Sequence, residues 1–445
     1  MTYLRANGFP LHRPCVILLL VLAGEELLEV RMLLRQPHLA ARRVAVGIIS
    51  SWDSESLDDL GFAAVLDAAS ERYPCLPNDS SKPSEQLAML LWGQPHSVPV
   101  SAVVDCVLKA DMYARWALIR LLVLRHDAQG VQAVEFLLSM DGFVDVMSPP
   151  VDSVFDPLLQ YSSVAEHERP LDLSALAQVF AGLLIRPGWT RQVAAFLQQL
   201  QQHGRLYGTA RAQVLASAST LATAIVGECN AAVGKTAAVA SSTEVRRTLS
   251  SLAALLGSFL SVDDHSPLYR MLGSADPFVS VIGAVALTDC GLGVGSDRIE
   301  MLARDTETLG PLFRGLDALG AAELIPSQYR VPRLLAQADL VEWLRKESEL
   351  GSAPDEIEPL GAWQLLDEGE GEQTGVASEA DSVGDQVELF RFRMNAPHWS
   401  SGRGWMVGVG GAWTHSCYYA EDELTAEEHI ANLQLAADNW QSPPR

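Results

Sequence analysis

The chain has 445 residues and a formal net charge of −23, from 55 acidic and 32 basic side chains. This balance argues against nucleic acid and anionic membranes as partners, because both repel an acidic protein. The six cysteines are far apart and form no CxxC pair, so their spacing gives no support to a zinc knuckle or a thioredoxin-type redox site. We expect reduced thiols, a cytoplasmic location, and neither a metal nor a cofactor.

A short apolar run near the start of the chain, from Cys15 to Ala23, has two interpretations. It is too short to span a membrane, but basic residues precede it as they do in a signal peptide. The helical pattern continues beyond it through Leu27, Val30 and Leu34. This continuation favours the first helix pair of a longer helical array over a cleaved signal.

Apolar residues at helical spacing then continue along most of the chain. We predict two helix pairs over 12–73 and a single long helix from Ser101 to His126, with its partner from Asp127 to Met140. Prolines interrupt the pattern over 141–170, which makes this stretch a candidate boundary. Helices resume at 173 and continue to 349.

The clearest repeat unit lies between His265 and Asp305. Asp276 precedes Pro277, a pairing in which the aspartate caps a helix and the proline occupies its first turn. The helix that follows, from Phe278, is apolar almost all round and is therefore expected to be buried. A short helix, a tight turn and a buried helix together form the unit of an α-solenoid.

These patterns predict a mainly α protein, namely a HEAT-like α-solenoid (α-α superhelix) followed by a small α+β C-terminal module. We assign 1–145 to N-terminal helical repeats and 146–350 to C-terminal helical repeats. Residues 351–386 are rich in Asp, Glu, Gly and Ser and carry few bulky side chains, which predicts a flexible acidic insert. Residues 387–445 form the α+β module.

The C-terminal module contains the strongest strand signal of the chain. From Val387 to Met394, aromatic and apolar residues alternate with arginines. Further strands are predicted from Trp405 to Trp413 and from Ser416 to Tyr419. Thr425 and Glu428 have the spacing of a capping box, which predicts a last helix over 426–438.

One constellation of side chains in this module is a candidate binding site. Arginine and tryptophan are residue types in which interface binding energy concentrates. The alternative, which we favour, is that the tryptophans form the core of the module and the arginines pair with the acidic insert. We identify no catalytic residue and no set of metal ligands. The candidate binding residues are Arg391, Arg393, His398, Trp399, Trp405 and Trp413.

The segment from Asp276 to Leu287, DPFVSVIGAVAL, resembles HEAT-repeat proteins, including those with PBS-lyase-like repeats. Part of the C-terminal region resembles the corresponding part of bacterial HEAT-repeat proteins without an assigned activity. The resemblance implies an α-solenoid, and it implies no particular substrate, cofactor or catalytic residue. Its C-terminal part rests on Leu340 to Leu344, Glu349 to Gly351, Pro354 to Glu358, Phe390 to Arg393, Pro397 to Trp399 and Gly404 to Gly410.

On this basis we predict a non-enzymatic scaffold or adaptor that binds another protein along the concave solenoid face, with the C-terminal module as a second contact. The acidic balance favours a basic partner, as for an immunity or regulatory protein that masks one. One alternative is an enzyme with a site between the solenoid and the C-terminal module, near His398, Trp405 and His415. A weaker alternative, nucleic-acid binding, would require a continuous stripe of Arg and Lys.

Overall fold

A computed structural model shows a mainly helical protein with a small antiparallel sheet. The structure describes residues 26–52, 57, 59–76, 79–149, 154–160, 171–233, 243–259, 265–346, 353–364, 386–394, 406–411, 414 and 418–420, with isolated positions between 425 and 435. Tertiary contacts divide the chain into two compact units, Met1–Leu221 (unit 1) and Ala222–Arg445 (unit 2). The predicted boundary between 145 and 146 stays a prediction.

Unit 1 is helical throughout the part that the structure describes. The loops between its helices are short, so successive helices fold back on each other. Its helices are α1 (26–35), α2 (Leu39–Ile49), α3 (Asp59–Ser70), α4 (Pro83–Met89), α5 (Val100–Lys109), α6 (Met112–Leu124), α7 (Ala128–Ser139), α8 (Pro157–Gln160), α9 (Ser174–Leu183) and α10 (Thr190–Gln202).

The single long helix predicted from Ser101 to His126 is wrong, because the structure has two helices there, α5 and α6. The backbone leaves the helical conformation at Ala110 and Asp111. The Asp111 carboxylate then accepts hydrogen bonds from the backbone N–H groups of Tyr113 and Ala114, both at 2.9 Å. The apolar period continues across this break, so periodicity concealed a cap that the aspartate itself signals.

Alternate helices of unit 1 contact one another. One row runs α2, α4, α6 and α8, and a second row runs α3, α5, α7 and α9. Consecutive helices such as α5 and α6 also contact, so each hairpin joins the two rows. Aromatic rings fill the later part of the core, with Phe155 and Phe180 centroids 4.8 Å apart and Trp116 and Trp189 centroids 5.5 Å apart.

Unit 2 repeats this arrangement with fewer helices. The row α12, α14 and α16 is formed by contacts between alternate helices, while α13 and α15 contact their neighbours in the chain. A long helix, α11 (Gly208–Ala232), contains the division between the units. The helices that follow are α12 (Thr243–Gly257), α13 (Ser266–Leu272), α14 (Pro277–Asp289), α15 (Ser296–Arg304), α16 (Thr306–Asp317) and α17 (Pro332–Lys346).

The hairpin of α13 and α14 confirms two details of the predicted repeat unit, the Asp276 cap and the burial of α14. Asp276 caps α14 by accepting hydrogen bonds from the N–H groups of Phe278 and Val279, at 2.9 and 3.2 Å. Gly283 permits the two helices to touch, since a Cβ at this position would overlap the backbone nitrogen of Leu272. The apolar helix α14 is buried on most of its surface, as its all-round apolar sequence predicts.

Unit 2 also contains a four-stranded antiparallel sheet in the order β1 (Glu356–Gln364), β2 (Gln386–Arg393), β3 (Met406–Gly411) and β4 (Tyr418–Ala420). One face packs on α17, where Phe390 and Phe392 meet Leu340 and Leu344. Side chains alternate across the sheet, so Val387, Leu389, Val407 and Val409 form a second cluster on the other face.

The sheet confirms the strand predicted from Val387 to Met394, which is β2, and corrects the acidic insert. Residues 351–386 were expected to be flexible, but Glu356–Gln364 forms β1 and pairs with β2. A high content of acidic residues concealed an edge strand whose charges face water. The remainder of the insert, 365–385, lies outside the described residues. The predicted capping box is confirmed, with Thr425 N–H donating to Glu428 at 2.7 Å and Glu428 N–H to Thr425 at 3.3 Å.

Among the described residues, one helix, α11, is long and apolar enough to cross a membrane by length and composition. Its mean hydropathy is 1.2, and 28% of its most apolar stretch is buried. A single helix of this kind is weak evidence for a membrane span, because the core helices of globular proteins can have the same composition. The buried residues of α11 form one stripe: Ala210, Val214, Ala218, Ala222, Val226 and Cys229.

Candidate functional site

The two arginines of the predicted C-terminal site lie on β2 and pair with glutamates of β1. Arg391 stands opposite Glu358 and Arg393 opposite Glu356 in the antiparallel register. The Arg391 Nε donates to the Glu358 carboxylate at 2.7 Å, and Arg393 donates to Glu356. Both glutamates belong to the acidic range 351–386, so the arginines pair with that range, as one part of the alternative predicted. The tryptophan core, its other part, stays a prediction.

The other members of that constellation lie outside the described residues, namely His398, Trp399, Trp405 and Trp413. The same holds for His415 of the enzyme hypothesis. The structure therefore brings together Arg391 and Arg393 alone, on a strand whose opposite face is packed on α17. Their role in binding a partner stays a prediction.

A cavity of about 550 Å³ in unit 1 is the strongest candidate site that the sequence did not reveal. It lies where the loop after α3, the start of α4 and the start of α6 meet. Its walls carry four cationic side chains, Arg42, Arg72, Lys82 and Arg115, against the two carboxylates of Asp79 and Asp111. This excess of positive charge contrasts with the net charge of −23 of the whole chain.

The charge of the first cation of the cavity, Arg42, is balanced by a carboxylate of the same chain, Asp79. Its side chain is buried, its Nη2 donates to the carbonyl oxygen of Pro74 at 2.6 Å, and its Nη1 lies 3.5 Å from Asp79 Oδ2. Burial acts to raise the pKa of Asp79, but hydrogen bonds from Ser81 and the Arg42 charge outweigh it and lower that pKa. Asp79 therefore stays ionised and forms an ion pair with Arg42.

Arg72 and Arg115 are held differently, by the end of helix α5. The Arg72 Nε donates to the carbonyl oxygen of Lys109 at 3.4 Å, and the Arg115 Nε donates to that of Val107 at 3.2 Å. Carbonyls at a helix C-terminus carry partial negative charge and attract cations. Burial lowers the pKa of Arg115, and the nearby charge of Arg72 lowers it further.

No carboxylate forms an ion pair with Arg72 or Arg115 in the part of the chain that the structure describes. Asp111 lies close enough to favour the Arg115 charge, but its carboxylate caps α6. The cavity also has apolar walls, because Met112, Tyr113 and Val146 line it and are exposed. Two nearby cations beside apolar side chains can bind an anion that carries an apolar group.

The sequence contains only a weak signal for this cavity. Arg72 and Arg115 are 43 positions apart in the sequence, and neither belongs to a recognised motif. Two local signals point toward it: Asp111 can cap a helix that starts beside Arg115, and the helix α3 ends just before Arg72. Each signal places its arginine near a helix terminus. The tertiary packing of α3 against α5 then brings them together.

A second cluster of arginines, in unit 2, surrounds one aromatic ring. The guanidinium carbons of Arg246 and Arg345 lie 3.6 and 4.2 Å from the ring centroid of Phe278. Arg345 also pairs with Glu307. Burial and, second to it, the Arg345 charge lower the pKa of Arg246 to about 10. Cation–π contacts join α12, α14 and α17, and the Arg345–Glu307 ion pair adds α16, so packing accounts for the cluster.

Metal and nucleophile chemistry finds little support in the described ranges. They contain no group of three or more His, Cys, Asp or Glu side chains placed to hold a metal ion. Cys229 and Cys290 have free thiols whose pKa is raised by burial, which lowers the thiolate fraction at neutral pH.

Comparison with known proteins adds no family to these observations. No protein-family model, curated protein or solved structure matches the chain.

Proposed function

We propose that the chain is a non-enzymatic helical-repeat protein of the HEAT type that acts as a scaffold or adaptor for another protein. The observation that carries this proposal is the contact between alternate helices in each unit. In unit 1 the rows α2–α4–α6–α8 and α3–α5–α7–α9 advance by one hairpin at a time. Unit 2 has the corresponding row α12–α14–α16.

This contact pattern supports a repeat protein for a physical reason. A lone helix hairpin cannot bury its apolar face, but each added hairpin covers the exposed side of the previous one. Stacked hairpins present long rows of helices to solvent, and such rows bind proteins without any catalytic group. The resemblance of 276–287 to HEAT-repeat proteins agrees with this interpretation.

The charge of the chain supports a basic partner. A net charge of −23 attracts a cationic protein over several ångströms of solvent and accelerates the encounter. An immunity or regulatory protein that masks a basic partner would have this property, and we place its action in the cytoplasm.

The proposal is tested by affinity capture from cells of the organism that encodes the chain. The tagged full chain is crosslinked in the cells, purified at moderate salt and analysed by mass spectrometry. We expect one protein in stoichiometric amount, with a basic composition. The purified pair should then form a complex whose Kd increases when the salt concentration rises from 150 to 500 mM, roughly the range over which the Debye length falls from 8 Å toward 3 Å.

An unrelated acidic protein of similar size and net charge serves as the control bait. Basic proteins that bind both baits are retained by charge alone and do not count as partners. Failure to recover any protein specific to this chain, from cells that express it at its natural level, would contradict the proposed function.

A further inference from the structure

We infer that the cavity of unit 1 binds a small organic phosphate, with the phosphate between Arg72 and Arg115 and an apolar group against Met112, Tyr113 and Val146. This inference is independent of the proposed protein partner, because it concerns a small-molecule site inside unit 1.

The charge of the cavity identifies the ligand as an anion. Of its four cations, Arg42 is paired with Asp79, and Lys82 lies 3.6 Å from Glu85. Arg72 and Arg115 keep their charges without an ion pair to a described carboxylate. Two like charges near one another raise the free energy of the empty cavity, and a bound dianion would lower it.

The geometry of the two arginines favours a phosphate. Each uses its Nε to bond a carbonyl oxygen of α5, and neither donates from a terminal nitrogen to another described residue, so those nitrogens can donate to a phosphate. Arg115 is only 8% exposed, so its charge is held in a site of low polarity, where charge-assisted hydrogen bonds are strong. A phosphate ester carries about −1.5 to −2 charges at pH 7, which matches two unpaired arginines.

The size of the cavity and its apolar lining residues indicate that the phosphate is attached to an organic group. A volume of about 550 Å³ exceeds what inorganic phosphate fills and lies in the range of small-molecule pockets. Tyr113 lines the cavity and is exposed, and the Lys82 Nζ lies 4.5 Å from the centroid of its ring. An aromatic or aliphatic substituent can pack on Met112, Tyr113 and Val146 while the phosphate reaches the arginines.

Isothermal titration of the full chain tests the inference with three compounds. Phenyl phosphate carries both parts of the expected ligand, inorganic phosphate carries only the charge, and benzyl alcohol carries only the ring. We expect phenyl phosphate to bind at least tenfold more tightly than either of the other two. Equal affinity for phenyl phosphate and inorganic phosphate would overturn the organic part of the inference, and no binding of either would overturn all of it.

Two matched arginine variants separate a specific site from general attraction. Arg72→Ala removes a cavity cation that is exposed and makes a single long hydrogen bond of 3.4 Å, so the variant should fold. Arg247→Ala removes the same charge from an exposed position of unit 2. We expect the first variant to weaken phenyl phosphate at least tenfold and the second to leave its Kd unchanged. An equal loss in both would show that net charge alone retains the compound.

The exposed thiol of Cys75, which lines the cavity, provides a readout that does not depend on heat or stability. Bound phenyl phosphate should slow alkylation of Cys75 severalfold, measured by peptide mass spectrometry. Alkylation of Cys290 in unit 2 should keep its rate. Binding without protection of Cys75 would place the compound elsewhere and overturn the inference.

Discussion

Gly410 of β3 lies directly against the backbone carbonyl of Ala336 in α17, with no room between them for a side chain. A Cβ at Gly410 would overlap that oxygen and would stand 3.1 Å from a ring carbon of Phe390. A Cβ at Gly408, two residues earlier on the same face, would stand 3.1 Å from a methyl carbon of Leu340. The glycines of β3 therefore let the sheet approach the helix, where Phe390 and Leu340 are fully buried.

Replacing Gly410 by alanine should destabilise the contact between β3 and α17. The added methyl group forces the helix and the strand apart, and overpacking of this kind typically costs about 1–3 kcal/mol in free energy of unfolding. Gly293→Ala is a matched control, because nothing lies within 4 Å of its Cβ position. Denaturant unfolding, with hydrogen exchange at β2 and β3, measures both variants. A Gly410→Ala chain as stable as the control would show that this close approach does not exist.

Arg391 and Glu358 should contribute to stability as a pair, but weakly. They face each other across β1 and β2, and both are partly exposed, so water screens their attraction. Opposite charges at such positions contribute roughly 0.2–1 kcal/mol. A double-mutant cycle with Arg391→Ala and Glu358→Ala should return a coupling energy in this range that decreases at high salt.

The charge reversals distinguish this pair from a binding role for Arg391. Arg391→Glu should destabilise the chain more than Arg391→Ala, because it places two carboxylates opposite each other. Adding Glu358→Arg should restore most of the loss. If every variant kept the stability of the natural chain while losing a captured partner, Arg391 would serve binding and not the sheet.

Glu71 accepts two arginines of α1 at the end of α3. Arg31 Nη2 and Arg35 Nη2 each lie 3.0 Å from Glu71 Oε2, and Arg31 also pairs with Asp67 at 2.9 Å. Burial acts to raise the pKa of Glu71, but the hydrogen bonds from Arg35 and Arg31 outweigh it and lower that pKa. The ionised carboxylate therefore ties α1 to the helices that follow.

This pKa shift predicts the pH dependence of a Glu71→Gln variant. A carboxylate whose pKa is lower in the folded state stabilises it above the unfolded pKa, near 4.5, and loses this contribution as pH falls through the folded pKa. Glu71→Gln should therefore reduce the free energy of unfolding at pH 7 and have progressively less effect below pH 4.5. Glu29→Gln, at an exposed position of α1, is the control. An equal effect of Glu71→Gln at pH 7 and pH 3 would refute the shift.

Asp276 should stabilise α14 mainly as a cap. The residue is 4% exposed and binds the N–H groups of Phe278 and Val279, so Asp276→Ala leaves two buried donors without a partner. Loss of such a cap costs about 1–2 kcal/mol. Asp276→Asn keeps an acceptor oxygen and should cost clearly less in thermal or denaturant unfolding. If asparagine and alanine cost the same, the charge of Asp276 matters more than its capping bonds.

Local signals along the chain were sufficient for the mainly helical class, for the caps at Asp276 and Thr425, and for strand β2. Each depends on residues a few positions apart, where backbone geometry links sequence spacing to position in space. The same reasoning failed for 101–126, because an unbroken apolar period continued across the Asp111 cap. It failed for β1 because a charged edge strand has the composition of a flexible segment.

The sequence by itself determined the mainly helical class, the small sheet and the acidity of the chain. Only the tertiary structure decided which charges meet: Arg391 with Glu358 across two strands, and Arg72 with Arg115 at the end of α5. These partners are 33 and 43 positions apart in the sequence. Their encounter depends on how helices and strands pack against each other, and no local spacing rule contains that information.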